Sequence, residues 1–302
     1  MRKSFLFMRL MLGLFVSVFA FTSCSSDSDG ESGAGGGGSI EGFRKLSNAT
    51  ITWVNYNEVM SIDGRYNSQG VLTGANIVDI DKNGTDKETI SAVYGTNSFV
   101  WKHSCDEDDI TYTGVLENDR IIKLEKYQVS KGYGNATNSK YYDFVYEGEK
   151  IKEISYIDWE GYPCTMKVTW NGDNVSKVER IDNRNQEVLE WAEFTYTNHL
   201  AGMLAAVAYF NPFGEFGFFD ATRDAFGFYA NKCGPLSKNV PQSVKTWSNT
   251  YGREGAPNTT NETRVRNYTY ETDAYNYPTK VRITGDDFHE KGINMQISLT
   301  WR

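Results

Sequence analysis

Proline, histidine and cysteine are all scarce, at six, three and four residues in a chain of 302. Each shortage excludes something. Few histidines leave little material for a helical zinc motif or a Ser-His-Asp signature, and neither pattern is present, nor is a glycine-rich phosphate loop. No cluster of Lys and Arg occurs, which excludes nucleic acid as a partner, because neutralising phosphates needs a basic stripe. The longest apolar run, Leu10 to Phe21, falls short of the ~20 residues that a transmembrane helix requires. One cysteine, Cys24, lies beside that run. The other three, Cys105, Cys164 and Cys233, are an odd number in a long chain, so they form at most one bridge and read best as buried free thiols.

What is present begins with an export signal. Met1-Arg2-Lys3 is a basic start, the apolar run follows, and Phe21-Thr22-Ser23 closes it with small residues before Cys24, the three zones of a secretory signal. The cysteine in that place looks like a lipobox, with Phe21 where leucine is usual. It predicts a signal peptide over 1–23 and acylation of Cys24, the palmitate-type anchor of a lipoprotein. Residues 24–40 are rich in Ser, Asp and Gly and cannot bury enough apolar surface to fold, so they form a flexible tether. Its acidic start resembles the export signal of surface lipoproteins in some Gram-negative gut commensals. The expected location is the outer membrane, lipid-anchored, at the cell surface. Loss of residues 1–23 removes Arg2, Lys3 and Arg9 and no acid, leaving 28 basic against 39 acidic residues, a net charge of −11. So negative a body does not dock electrostatically on anionic lipid, and the acyl chains must hold it.

Residues 41–302 read as a single domain. Aromatics are 14% of the chain, and aromatic side chains suit a pleated, half-buried surface. Alternation with period two puts Tyr142, Phe144 and Tyr146 on one face of a strand, and Met166, Val168 and Trp170 on one face of another. Tyr268 and Tyr270 repeat it near the end. A unit recurs: an aromatic strand, a polar tight turn, then two apolar residues three apart. Phe144-Val145-Tyr146 leads to Ile151 and Ile154, and Val168-Thr169-Trp170 leads to Val175 and Val178. Phe194-Thr195-Tyr196 leads to Leu200 and Met203, and a looser copy joins Ile110-Thr111-Tyr112 to Ile121 and Leu124. A three-residue step puts two strand residues on opposite faces, so the pattern predicts a bulge at the strand start that restores parity. The spacing of 24 residues from Tyr146 to Trp170 and 26 from Trp170 to Tyr196 suggests one hairpin per unit, stacked on its neighbours. The fold class is mainly β, a large antiparallel curled meander of stacked hairpins. One short helix is expected at Phe218–Ala230, where Phe218, Ala221, Ala225 and Phe228 share helical spacing before Gly234-Pro235. Its simplest role is to cap the sheet.

These hairpin units resemble a degenerate YD/Rhs-type repeat. With the lipobox, the acidic tether and the late Tyr275-Asn276-Tyr277-Pro278-Thr279-Lys280-Val281, the arrangement resembles an uncharacterised family of surface lipoproteins known only as domain of unknown function 4595. The resemblance spans most of the body and implies no catalytic residues.

Several candidate sites follow from local pattern. Asp79-Ile80-Asp81-Lys82-Asn83-Gly84 matches the opening of a calcium loop, with Asp79, Asp81 and Asn83 as ligands. The later bidentate glutamate is replaced by Ile90, so Asp86 or Glu88 would complete the cage, and Asn-Gly is equally a hairpin turn. His103 and Cys105 would share one strand face as a metal pair, but two ligands are not a site, and the acids after them suggest an acidic hairpin loop. Asp158-Trp159-Glu160 has the look of a glycosidase fragment, although Gly161 marks an exposed turn. Trp159 and Trp247 are the tryptophans expected outside the core, as stacking surfaces for sugar. His199 and His289 are isolated.

The leading functional expectation is a non-catalytic binding or scaffold module for a glycan or an outer-membrane protein partner. One alternative is a glycoside hydrolase using Asp158 or Glu160. The other is a purely structural envelope or adhesion protein.

Overall fold

The computed structural model describes residues 46–301 apart from 67–71, 83, 106–107, 132–133, 135, 159–160, 202–231, 250–262 and 287–291. The strands, in chain order, begin with β1 (Leu46–Trp53), β2 (Glu58–Tyr66), β3 (Leu72–Asp81) and β4 (Gly84–Tyr94). Next come β5 (Ser98–Ser104), β6 (Asp108–Glu117), β7 (Arg120–Ser130) and β8 (Ala136–Glu147). Then follow β9 (Lys150–Ile157), β10 (Pro163–Asn171), β11 (Asn174–Asp182) and β12 (Glu187–Leu200). The last are β13 (Asn239–Ser248), β14 (Thr263–Thr272), β15 (Pro278–Gly285) and β16 (Ile293–Trp301).

Every strand pairs antiparallel with its sequence neighbours, as hairpin-forming turns dictate. The expected curled meander goes further and shuts: β1 pairs with β16, Ala49 opposite Leu299 and Ile51 opposite Ile297, giving a closed barrel of sixteen strands. Closure leaves no edge strand to pair with another chain. No α-helix occurs among the described residues, and the one expected at Phe218–Ala230 lies outside them.

The anticipated bulge is present. Tyr146 pairs with Ile151 while Val145 pairs with Glu153, so Lys152 is skipped. Ile151 and Ile154 therefore both point inward and are fully buried. The same slip follows Thr169, burying Val175 and Val178, and follows Val115, burying Ile121 and Leu124. Gly148 and Gly172 take φ of 61° and 57° in the tight turns, the left-handed region that such hairpins need. One expected unit is corrected. After Tyr196 the chain does not turn: β12 runs on to Leu200, and Tyr196 pairs with Pro241, with Val244 buried three residues later. The apolar pair is thus supplied by Pro241 and Val244 from across a long insertion, and Met203 lies outside the described residues.

An aromatic tie accompanies these bulges. Tyr146 Oη donates to the carbonyl of Ile121 at 2.9 Å, Trp170 Nε1 to Ile151 at 2.9 Å and Tyr196 Oη to Val175 at 2.6 Å. Tyr270 Oη donates to Pro241 and Trp301 Nε1 to Pro278, both at 2.5 Å. In each case the last aromatic of an even-numbered strand satisfies a carbonyl of an apolar residue within the first three positions of the strand before it. A carbonyl freed by a bulge would otherwise be left without a partner near the core.

Strand direction defines two rims. At the first rim β1 begins, β16 ends and the tight turns 118–119, 148–149 and 172–173 lie. Residues 232–238 run across it: Lys232 forms an ion pair with Asp119, Lys238 N donates to Asp173 O at 3.1 Å, and Val175 N donates to Ser237 Oγ at 3.1 Å. Cys233 is buried beneath this strap. The second rim carries turns 54–57, 158–162 and 183–186.

All sixteen strands contribute to one contiguous core, including Ile62, Ile154, Val178 and Met295, none of which is exposed at all. A round barrel of sixteen strands leaves an aqueous channel; here apolar side chains fill the interior instead. Each fully buried aliphatic side chain contributes about 1.5–3 kcal/mol.

Candidate functional site

The two faces of the sheet have opposite character. Along β4, Ile90 and Ala92 point in, while Thr85, Lys87, Thr89 and Ser91 are exposed. Along β16, Met295, Ile297 and Leu299 point in, and Gln296, Ser298 and Thr300 are exposed. Ion pairs cross the outer face between strands, as in Lys123–Asp143 at 4.0 Å and Lys280–Glu271 at 2.9 Å. Outward apolar residues such as Val115 and Val145 have polar neighbours two residues away in Thr113 and Asp143 and polar cross-strand partners in Lys123 and Glu153. A membrane-crossing barrel needs the reverse, an apolar outer band around a polar interior, and a lysine at the bilayer midplane costs about 2–4 kcal/mol.

Inside, polarity changes along the strands. Towards the first rim the lining is aliphatic and aromatic. Towards the second rim two clusters of charged groups face inward.

The first cluster centres on Arg180 of β11. Its guanidinium lies 3.2 Å from Asp158 Oδ2 and 3.2 Å from Glu190 Oε2, with all three side chains at most 4% exposed. Asp158 also accepts from Tyr162 N at 2.8 Å, and the Cys164 thiol points at it from 3.8 Å. Burial pushes the Cys164 thiol up from its ordinary value, although Arg180 opposes that. At the adjoining turn, Arg184 grips Asp182 through both carboxylate oxygens and holds its pKa down at about 2. The Arg184 guanidinium also lies 3.5 Å above the Tyr162 ring. The expectation of an exposed turn is corrected here: Gly161 does turn, with φ of 88°, but Asp158 is buried because Arg180 draws it in. Asp158 is thus committed to Arg180 and a backbone amide inside the fold. Glu160 and Trp159 lie outside the described residues.

The second cluster lies on β3, β4 and β5. Asp79 and Asp81 sit on a strand and not on a loop, because Asp81 pairs with Gly84 across β3 and β4, and its Oδ1 accepts from Gly84 N at 3.0 Å. The structure therefore spreads the suggested calcium ligands along a strand, with Asn83 outside the described residues. Register puts Asp86 directly opposite Asp79, and Glu88 two residues further on the same face. Asp79 is buried, and among the described residues its Oδ1 has no hydrogen-bond partner. Burial first, then Asp81, Asp86 and Glu88, raise its pKa to about 6.

His103 and Cys105 do lie together, and the fold adds a third group that sequence reasoning missed. Glu88 Oε2 is 2.6 Å from His103 Nε2, both side chains being 8% exposed. Ligand atoms of Glu88, His103 and Cys105 all lie within 4.8 Å of one another. Pairing of Ile90 with His103 brings them together, a register invisible in local sequence. The three body cysteines are free thiols.

Trp247 lies on the outer face, half-buried, stacked on Trp191 with ring centroids 6.2 Å apart and 14° between planes. Lys177 and Lys245 lie over the Trp191 ring at 5.5 and 5.6 Å. Trp191 thus already serves two ammonium groups, leaving Trp247 as the ring available to a ligand. His199 is bonded through Nδ1 to Asn276 Oδ1 at 2.6 Å, and His289 lies outside the described residues.

No protein-family model matches this chain, and no curated protein matches its sequence. Among solved structures, it is similar to a porin-like protein from Bacteroides uniformis, with a TM-score of 0.59 at 10% identity over 85% of this chain and 98% of that one. A porin-like protein from Bacteroides vulgatus gives a TM-score of 0.53 at 11% identity, again over 85% and 98%. At such identities the likeness is one of fold: this chain shares the closed antiparallel barrel of those porin-like proteins.

Proposed function

We propose that this chain is an exported outer-membrane lipoprotein, acylated at Cys24, whose barrel stands in water at the cell surface as a non-catalytic binding or scaffold module. The observation that carries this reading is the polar outer face. Exposed strand positions bear Lys, Asp, Thr and Ser where lipid contact demands apolar side chains. A barrel unsuited to lipid needs another hold on the membrane, and the lipobox cysteine with its tether supplies one. The filled interior argues for binding at the rims and outer face over passage through the centre. Trp247 and the polar second rim are the surfaces offered to a glycan or protein ligand. The separation of Asp158 from any open groove disfavours the glycosidase reading.

Fractionation tests the anchor. In cells fed labelled palmitate, the chain takes up label and stays with the outer membrane, whereas Cys24→Ala loses both label and membrane association and is soluble without detergent. A Cys24→Ala protein that still requires detergent, or that conducts ions in a planar bilayer, overturns the reading. Glycan-array binding and pull-down from membranes, each compared with Trp247→Ala, then identify the ligand class. A hydrolytic activity with no binding in either assay refutes the non-catalytic role.

A further inference from the structure

The second-rim cluster on β4 and β5 brings one nitrogen, one sulfur and one carboxylate donor to a point. Glu88 and His103 are buried, and Cys105 is half-buried directly after β5. Atoms bound tetrahedrally to one ion at 2.0–2.3 Å lie roughly 3–4 Å from one another, so donors already within 4.8 Å need only small side-chain rotations. A second observation points the same way. The Asp79 carboxyl on neighbouring β3 is 5% exposed, faces the same interior, and has an oxygen with no hydrogen-bond partner among the described residues. Asp81 and Asp86 add further negative charge on that face. A cation would offset the burial of Asp79 and Glu88.

We propose that Glu88, His103 and Cys105 bind one zinc-class divalent cation at the second rim, leaving a fourth position for water or Asp79. The donor set chooses the metal: calcium and magnesium take oxygen ligands, whereas a thiolate with an imidazole selects a borderline-soft ion. Binding breaks the 2.6 Å Glu88–His103 hydrogen bond: the proton between the two atoms leaves to solvent or to the other ring nitrogen, and the imidazole and the carboxylate each bond the metal. The Cys105 thiol, which now points at Asp108 O from 3.5 Å, gives its proton to solvent and binds as thiolate. This site does not depend on the lipid anchor.

The full chain, purified in mild detergent, reduced and stripped with EDTA, is titrated with Zn²⁺, Co²⁺ and Ca²⁺ in turn. One equivalent of zinc is expected to bind, and cobalt to give a sulfur-to-metal charge-transfer band in the near ultraviolet. Cys105→Ser should abolish that band, and His103→Gln should weaken zinc binding by at least about 100-fold, more than loss of an outer-shell partner costs. Cys105 alkylation, followed by mass spectrometry in the unaltered chain, should slow at least about tenfold with zinc, so the test survives if a variant fails to fold. Equal alkylation rates with and without zinc, a cobalt complex lacking the thiolate band, or binding of calcium in preference to zinc each overturn the assignment.

Discussion

Arg180 and Glu88 lie towards the same rim, seven strands apart round the ring, and their surroundings are built on opposite principles. Around Arg180, one buried cation is clasped by Asp158 and Glu190, with further hydrogen bonds to the carboxylates. Around Glu88, the acids Asp79, Asp81 and Asp86 gather on one face, and His103 pairs with Glu88 itself. Burying charge is costly unless it is paired. The Arg180 cluster meets that requirement within the fold. In the Glu88 cluster the buried Asp79 Oδ1 has no hydrogen-bond partner among the described residues, which is the feature the proposed cation would address.

The comparison breaks most visibly if Arg180 is dispensable. Arg180→Met strands two buried carboxylates and is expected to cost about 3–5 kcal/mol in urea denaturation, while the triple variant Arg180→Met, Asp158→Leu, Glu190→Leu recovers most of that loss. An Arg180→Met protein as stable as the parent would show that the two clusters do not differ. Next in size is a reversal of sign. Asp79→Asn, measured in EDTA at pH 7, is expected to stabilise the barrel by up to about 2 kcal/mol, because folding raises this carboxyl's pKa to about 6. The folded state then binds the Asp79 proton more tightly than the unfolded chain. Stability from this residue therefore rises as pH falls from about 6 towards 4, and the advantage of Asp79→Asn disappears by pH 4. Asp158→Asn must act the other way, destabilising at pH 7.

Asp182 sharpens the contrast on the acid side. Arg184 holds its pKa near 2, below the unfolded value, so its stabilisation is present above about pH 4 and fades as pH falls through about 2. Parent and Asp182→Asn should therefore differ at pH 7 and converge in acid, as thermal melts along a pH series will show. The smallest expected effect lies away from both clusters. Tyr146→Phe loses only the bond to the Ile121 carbonyl and should cost about 1 kcal/mol, with no change in its pH dependence.

Much of this architecture could be read locally. Alternation in Tyr142-Asp143-Phe144 placed the core face correctly, and the three-residue step from Ile151 to Ile154 announced the bulge at Lys152. Polar residues at alternate positions of β4 and β16 likewise carry the polar exterior. Closure was not legible, because the Ile51–Ile297 pairing joins the two ends of the sheet and no neighbouring residue encodes it. The site was half legible for the same reason. His103 and Cys105 stand two apart on one strand, but Glu88 reaches them only through a cross-strand register. Asp158 misled because its partner Arg180, which also binds Glu190 of β12, comes from β11, while its own neighbours read as an exposed turn. The pairing of Tyr196 with Pro241 skips an insertion, which local spacing had closed too early with Leu200.

One further property follows from where β1 begins. Leu46 pairs with Trp301, so the first described strand begins at the strapped rim. Pulling on the chain from its N-terminal side draws this rim down first and turns the opposite end outward. With strands of about ten residues rising roughly 3.3 Å each, the charged rim lies about 30 Å along the strands from Leu46. Arg180, Asp79 and the Glu88–His103–Cys105 group would be presented like the bowl of a goblet, with the strap as its foot.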